Sequence, residues 1–574
     1  MKRITIIYTT LILLLCLPVS CTDDFLETEN RNNLTQENFY QTQEDFWMAL
    51  NSLYPPLADR GLFGLQMQFI FGSFEDRILF ETTGLDRLNI NSSRTEMLEI
   101  WRALYFGMYR TNMFLRMMYE RGEIEGMSTD MRNNYIAQAR AMRGIYLFYL
   151  VVMFNEPIFY DEETIPMDAA QKMVNGKPEQ FWDLLKEDFL YGIENQYLPV
   201  QYAPDDVGRV TIGAAKSMLG KALLFKHYYY YANPGNAGQP GSAENLADLQ
   251  LAKEMLNQVI ESNTYQLVKP QEPKERIDYI NAVLCNTSFV DLPGSNGNMY
   301  PSKLNQESVW EILYSDDRIR QGWLPGWQWT GTLNFAYFSP HLSSFRNQEA
   351  HPDLWEAFET EGTPVGFDRD PRAYATVYID TDPMDFREGA SYANSIYLSG
   401  VHNKRIARTR GLIPTTDNPF PTQGFGLKKY YYPIYDEKNA PLNDPFNRRV
   451  IRFADVLLMY AEVTYLLSED TEKGLAALNR VRARVDMQPV PQLTKEAIVH
   501  ERDVELALEG HRWFDLVRWS FDPAWGVDVS EILSRQLGPD QAEVLFQKGK
   551  HEFLPIPIRE INLNQGSLRQ NPGW

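Results

Sequence analysis

Cysteine is scarce in this chain, which has 574 residues and three cysteines. Cys16 lies in a leader segment that we expect to be removed, and Cys21 directly follows the predicted cleavage point. If Cys21 carries lipid, Cys285 is the one remaining cysteine of the mature chain, and no intrachain disulfide can form. We therefore expect side-chain packing, rather than covalent cross-links, to hold the fold together.

Positive charge is also in short supply. The sequence has 55 Lys and Arg residues against 76 Asp and Glu residues, which gives a formal net charge of −21. A surface of this sign repels phosphate, so nucleic acid is excluded as a partner and a polyanionic ligand is disfavoured. Aromatic residues are abundant instead, at 13% of the chain. We expect the surplus to serve the core, a partner interface or a platform for a ligand.

Catalytic and metal-binding motifs are missing. The sequence has no G-x-S-x-G elbow, and its seven histidines are scattered without the spacing of metal ligands. His500-Glu501 begins as a zinc motif does, but Val504 stands where the second histidine is required. We therefore predict no catalytic residue, no metal and no cofactor. A glycosidase needs two carboxylates across a cleft, so that alternative stays open among 76 acidic residues.

Long apolar runs are confined to the N-terminus. Two basic residues precede a mostly apolar stretch from Ile4 to Leu17, which is too short for an ordinary membrane span. Ser20 then stands directly before Cys21, and a small residue before a cysteine is what cleavage of a lipoprotein signal requires. We predict a signal peptide over residues 1–20 and a lipid on Cys21. An ordinary secretory signal is the alternative, because Pro18 occupies the place where leucine is usual.

Helical periodicity covers most of the chain outside residues 263–447. In each helical segment apolar residues recur at the spacing of one helix face. Helix pairs of this length in series predict stacking like that of tetratricopeptide repeats, and hence a mainly α-helical, solenoid-like scaffold. The predicted helices span residues 36–54, 94–120, 130–153, 181–190, 212–231, 246–260, 453–467 and 472–485.

Two regions lack a helical period. Residues 61–93 hold glycine, phenylalanine and scattered charges, and we interpret them as a long loop, a kind of segment that often carries function. Between residues 263 and 447 Gly, Pro, Asn and Asp are frequent. Short runs of β-forming residues interrupt this loop-rich part at Ser308–Tyr314 and Ala375–Ile379.

The stretch from Thr494 to Trp519 predicts a helix that Thr494 caps and that is either continuous or broken at Gly510. Glu501, Glu505 and Glu509 recur at a spacing of four, and arginines lie nearby in the sequence. Paired carboxylates can perform acid–base chemistry. We favour the alternative, a half-buried ion network that docks this helix on the body of the protein.

The same stretch contains a run of residues that matches a known pattern: Glu501-Arg502, Glu505-Leu506, Glu509-Gly510, Arg512, Asp515-Leu516 and Arg518-Trp519. This run resembles the C-terminal signature of the SusD/RagB family, whose members are outer-membrane lipoproteins that capture nutrients for a partner transporter. The resemblance implies about eight helices in four tetratricopeptide-like pairs, a large loop-rich insertion carrying short β-strands, and no catalysis. Other stretches between Trp101 and Trp574 resemble further family landmarks in family order.

The resemblance also implies where the protein acts and with what. It implies display on the cell surface, attachment to the outer membrane through the N-terminal lipid alone, and a TonB-dependent partner transporter of the SusC type. After the signal peptide at 1–20, we expect an N-terminal helical part at 21–262, a loop-rich ligand-facing part at 263–447 and a C-terminal helical part at 448–574.

The segment from Gln321 to Gly331 is the strongest candidate for a ligand surface. Trp323, Trp327 and Trp329 fall within it, and Tyr337 follows closely. Because indole rings suit the apolar faces of sugar rings, we predict an oligosaccharide ligand, with a peptide as the alternative. Tryptophans that fill a satellite core beneath loops would produce the same pattern.

A second contribution is implied by the family resemblance. In the resembled family the capture site is built from such loops, including the segment after the first helix. This implies a role for residues 61–93, where the side chains of Asp76 and Arg77 can bond to ligand hydroxyl groups. Surface ion pairs or turn formation explain these two residues equally well.

Overall fold

The computed structural model describes residues 39–80, 88–166, 172–270, 289–290, 300–301, 306–314, 348–377, 427–429, 447–534 and 546–574. Helices dominate these ranges, as predicted. In chain order they are α1 (Gln43–Asn51), α2 (Pro55–Ala58), α3 (Gln66–Phe74), α4 (Thr95–Glu120), α5 (Thr129–Phe154), α6 (Pro178–Glu194), α7 (Ile212–Lys226), α8 (Ala243–Glu261), α9 (Pro352–Ala357), α10 (Pro371–Thr376), α11 (Phe453–Leu467), α12 (Thr471–Arg484), α13 (Lys495–Glu505), α14 (Arg512–Phe521), α15 (Val529–Ser534) and α16 (Ile558–Leu563).

The strands are short and pair in twos. The strand Ser308–Ile312 (β4) pairs antiparallel with the strand Arg448–Arg452 (β6), and their register shifts between Ser308 and Trp310. The strand predicted at Ser308–Tyr314 is therefore confirmed over most of its length. The described strands are β1 (Ile78–Phe80), β2 (Phe289–Val290), β3 (Tyr300–Pro301), β4 (Ser308–Ile312), β5 (Gln348–Ala350) and β6 (Arg448–Arg452), and the pairs are β1 with β5, β2 with β3 and β4 with β6.

The long helices stack in a row. Helix α4 packs on α5, α5 on α6, α6 on α7, α7 on α8, α8 on α11 and α11 on α12. Serial contact between neighbours is the packing of a tetratricopeptide-like array, so the predicted scaffold is confirmed. Between α8 and α11 the chain makes its long insertion and then rejoins the row at Phe453.

Local capping residues set several helix starts. Thr42 and Asp45 form a capping box at α1, in which the Thr42 hydroxyl accepts from the Asp45 N–H at 3.3 Å. Ser128, Thr211 and Thr494 cap α5, α7 and α13 through their hydroxyl groups. The cap predicted at Thr494 is thus confirmed, because its hydroxyl accepts from a backbone N–H one turn into the helix.

The core is centred on α5 and α7. Every residue of α5 from Tyr135 to Phe154 is buried except Arg140. Such all-round burial is expected only for helices in the middle of a large helical body. At the α4–α5 contact, Gly107 lets the helices approach so closely that an added Cβ would lie 2.2 Å from the ring of Tyr146. Glycine at this position therefore determines how closely the two helices pack.

Two sequence expectations are corrected. Residues 61–93 are not one long loop, because α3 and β1 lie within them. All nine residues of α3 are buried, so the helix carries no polar face from which a period could be read. The strand predicted at Ala375–Ile379 is wrong at Ala375 and Thr376, which belong to α10, while Val377 makes an isolated antiparallel bridge with Leu427. Asp370 caps that helix and Pro371 begins it, and these start signals outweigh the β-propensity of the run.

Candidate functional site

Two segments that the sequence assigns to ligand binding meet at one strand pair. In the antiparallel pair of β1 and β5, Ile78 lies opposite Ala350 and Phe80 lies opposite Gln348. Phe80 is the last residue of β1 and Gln348 the first of β5. The last residue of β1 and the first residue of β5 therefore lie at the same end of this ribbon. The tertiary structure thus pairs the 61–80 stretch with residues 348–350 of the loop-rich part.

The residues on which the ligand prediction rests most heavily lie outside the described ranges. These are Trp323, Trp327, Trp329 and Tyr337, and Cys21 falls outside as well. Their assignment to ligand and to lipid stays a prediction.

Asp76 and Arg77 lie directly before β1 and are held by the C-terminal helices. The Asp76 carboxylate accepts from Nε and Nη2 of Arg512 at 2.8 and 2.9 Å. Arg77 donates to both carboxylate oxygens of Asp503, and the closest contact is 2.5 Å. Burial acts to raise the pKa of Asp76, but Arg512 and Arg77 outweigh it and lower that pKa to about 2. These ion pairs fix the start of β1 on α13 and α14, while direct contact with ligand stays a prediction for both residues.

The acidic ridge of α13 is a buried ion network. Glu505 accepts from Arg484 at 2.6 Å, from Arg452 at 2.6 Å and from Arg372 at 3.0 Å. Glu509, at the end of the ridge, accepts from Arg452 at 2.7 Å. Burial opposes ionisation of Glu505, but the three guanidinium groups outweigh it and hold its pKa well below the usual range. A carboxylate held in this way does not release and take up protons near neutral pH, so the ion-network interpretation is confirmed for the ridge.

The network ties together elements that are far apart in the chain. Arg372 belongs to α10, Arg484 to α12 and Arg452 to β6. Lys429 joins from the insertion and donates to Glu509 at 2.9 Å and to the backbone carbonyl of Ala507 at 2.9 Å. The network therefore holds parts of the insertion against the helical row, and so supports the body from which the predicted ligand-facing segments extend.

The partners from the insertion could not be predicted from the sequence. Arg372 and Lys429 lie 133 and 76 residues from Glu505. They stand in a region without periodicity, and no local pattern distinguishes them from surface cations. Gly510 does carry a local signal. Its φ of +80° lies in the turn between the end of α13 at Glu505 and the start of α14 at Arg512, so the stretch is two helices rather than one.

The described residues contain neither a cluster of metal ligands nor a membrane-spanning helix. Across those ranges, no three His, Cys, Asp or Glu side chains come together as metal ligands would. Among the helices described, none qualifies as a bilayer-spanning segment.

The fold and the buried network define the class of protein: a tetratricopeptide-like helical row with a long insertion docked on its C-terminal helices. Comparison with known proteins shows which family the chain is similar to. The model of the SusD family matches residues 306–574. A SusD-like protein of Bacteroides ovatus is 23% identical over 547 residues, covering 90% of this chain and 82% of the relative. The resemblance predicted from the sequence is therefore confirmed.

Solved structures extend the likeness over nearly the whole chain. A laminarin-binding SusD-like protein superposes with a TM-score of 0.66 at 22% identity, covering 93% of this chain and 100% of that one. Surface glycan-binding protein A from Bacteroides thetaiotaomicron, solved with laminarihexaose, gives a TM-score of 0.65 at 17% identity and covers 92% and 100%. At these identities the likeness establishes the shared fold.

Proposed function

We propose that this protein is a cell-surface lipoprotein that captures an oligosaccharide and delivers it to a TonB-dependent outer-membrane transporter of the SusC type. The observation that carries the proposal is the pairing of Phe80 with Gln348. It joins the 61–93 segment to the loop-rich part at 263–447 within a SusD-like fold. This pairing supports a single capture site to which both parts of the chain contribute.

The chemistry of the tryptophan-rich segment supports a sugar ligand. Trp323, Trp327 and Trp329 offer three indole faces within a short stretch. Sugar rings present C–H bonds that pack against such faces, while the formal charge of −21 disfavours an anionic chain. Relatives of the same fold that bind laminarin or laminarihexaose make a neutral glucan the first ligand to test.

The location follows from the N-terminal pattern. A lipid on Cys21 would hold the protein in the plane of the outer membrane. Confinement to that plane raises the effective concentration of a membrane-embedded partner, so a moderate contact with the transporter is sufficient. Purification of the native lipoprotein from detergent-solubilised outer membranes tests this partner. Co-purification of a TonB-dependent barrel is expected, and recovery of the lipoprotein alone argues against delivery.

Binding without turnover is the second part of the proposal. Calorimetric titration of the mature protein with laminarihexaose, maltohexaose and cellohexaose should show binding of at least one of them. Chromatography after prolonged incubation should recover that sugar at full length. Shortened products would indicate the glycosidase alternative, and binding of peptides in place of sugars would indicate the peptide alternative.

The site itself is tested by removing the indole rings. Simultaneous Trp323→Ala, Trp327→Ala and Trp329→Ala substitutions should weaken binding at least tenfold, because each ring contributes about 1 kcal/mol beyond its buried area. Phe106→Ala is the matched control, since Phe106 is 46% exposed on α4, far from the segment in sequence. Unchanged affinity in the triple variant would contradict the assignment of this segment.

A further inference from the structure

A groove of about 480 Å³ lies between α1, the turn at residues 205–209 and β4. We call it the Trp47 groove. A hollow of about 240 Å³, lined in part by Tyr202 and Tyr265, adjoins it. Gly208 and Trp310 line both spaces and form the bridge between them. Among the described residues that line the groove, none belongs to β1 or β5. Its lining includes Trp47, Tyr54, Asp206, Arg209, Trp310 and Tyr314.

Three aromatic rings of the groove are fixed by hydrogen bonds to the protein. The Tyr54 hydroxyl donates to Oε1 of Gln138 at 2.8 Å. Nε1 of Trp310 donates to the carbonyl of Gly208 at 3.0 Å, and the Tyr314 hydroxyl donates to the carbonyl of Ala58 at 3.3 Å. Because these polar atoms are already bonded, the rings are held in place before a ligand arrives. Binding on such a surface costs little side-chain entropy.

Trp47 and its neighbour Met48 lie on the exposed side of α1. Phe46 and Leu50 are fully buried and fasten the helix to the core, whereas Trp47 remains 45% exposed at the groove. The helix thus has its packing contacts without this indole ring. A large ring left in water beside a cleft is typical of a binding surface.

The rim of the groove is polar, and one arginine holds its polar side chains in position. Arg209 donates to Oδ1 of Asp206 at 2.8 Å, to Oδ1 of Asn51 at 2.6 Å and to Oε1 of Gln138 at 3.3 Å. The Asp206 side chain is nevertheless 41% exposed, so a carboxylate of fixed position faces the solvent. Asp205 stands beside it in the same turn. Carboxylates accept from hydroxyl groups and repel anions, so the rim favours a neutral, hydroxyl-rich ligand.

We infer that the Trp47 groove is a second saccharide site, which binds one stretch of a neutral oligosaccharide with Trp47 as its stacking platform and Asp206 as its hydroxyl acceptor. The ligand class rests on the proposed function. Hollows on both sides of the bridge of Gly208 and Trp310 give room for a chain longer than a single sugar unit. A second site would hold a long glycan at two points and so slow its escape from the cell surface.

Calorimetry on the mature full-length protein tests the inference. Laminarihexaose, maltohexaose and cellohexaose are titrated into the wild-type protein, and the best of them should bind with two ligands per protein. Trp47→Ala should remove one of the two or weaken it about tenfold. Asp206→Asn keeps the shape of the side chain and should weaken the same site, while Phe106→Ala should leave both unchanged.

The outcomes separate the groove from the capture site. In one outcome, the wild-type protein binds one ligand, and binding is lost in the triple tryptophan variant and unaffected by Trp47→Ala and Asp206→Asn. That result would overturn the assignment of the groove as a saccharide site and leave the proposed function standing. Failure of the wild-type protein to bind any of the three sugars would overturn both. If Trp47→Ala instead abolishes co-purification of the transporter and leaves sugar binding unchanged, the groove is a protein contact and the inference is wrong.

Discussion

Glu505→Gln is expected to destabilise the protein strongly, because this carboxylate lies at the centre of the buried network. Its side chain has no measurable exposure, and it pairs with Arg484, Arg452 and Arg372, each of which is at most 1% exposed. The amide keeps the shape of the side chain but removes the charge that neutralises three buried guanidinium groups. Breaking a buried pair by removing one partner costs about 3–5 kcal/mol.

That loss is a large share of the stability of a typical folded domain, about 5–15 kcal/mol. Urea titration followed by tryptophan fluorescence and by far-ultraviolet circular dichroism measures it, and the two probes together reveal any intermediate. The urea midpoint of Glu505→Gln should fall well below that of the wild-type protein.

Glu496→Gln is the matched control for this prediction. Glu496 lies in the first turn of the same helix, and its side chain is 72% exposed. Its loss should cost less than about 1 kcal/mol, the usual value of a favourable charge at a helix start. If the two variants unfold at the same midpoint, the network does not stabilise the fold, and the reasoning from buried charge is refuted.

Three further expectations follow. Acid should weaken the fold: the folded-state pKa values of Glu509 and Asp76 are lowered to about 2 by their arginine partners, against the opposing effect of burial. The stability that these two carboxylates contribute is therefore complete above about pH 4.5 and is lost as the pH falls towards 2. Equal urea midpoints at pH 3 and pH 7 would contradict this expectation. Gly107→Ala should lower the free energy of unfolding by about 1–3 kcal/mol, because the added methyl group presses on Tyr146. Gly122→Ala is the control, since no atom lies within 4 Å of its added Cβ. Thermal melting compares the two variants. Cys21→Ala should abolish lipid labelling and release the protein from the membrane fraction, and a variant that stays acylated would remove the anchor from the proposal.

The sequence by itself determined the helical row. Capping residues and apolar periods are local signals, and they predicted α11 as Phe453–Leu467, the same bounds that the structure shows. The cap at Thr494 was likewise readable, because one side chain decides it, whereas the sequence left a break at Gly510 as one of two alternatives. Helix α3 was not predicted, because a helix that is buried on every side has no polar face and hence no alternation of apolar and polar residues at the helical period.

The candidate site was decided by the tertiary structure. The residues that meet at its base, Phe80 and Gln348, are 268 positions apart in the chain. The arginines that neutralise Glu505 come from α10, α12 and β6. Such pairings depend on how the insertion folds back on the helical row, and no local sequence pattern indicates which distant strand or cation is the partner. The sequence thus identified the residue types that suit a sugar, while the ion pairs of α13 and α14 with Asp76 and Arg77 determined where β1 begins.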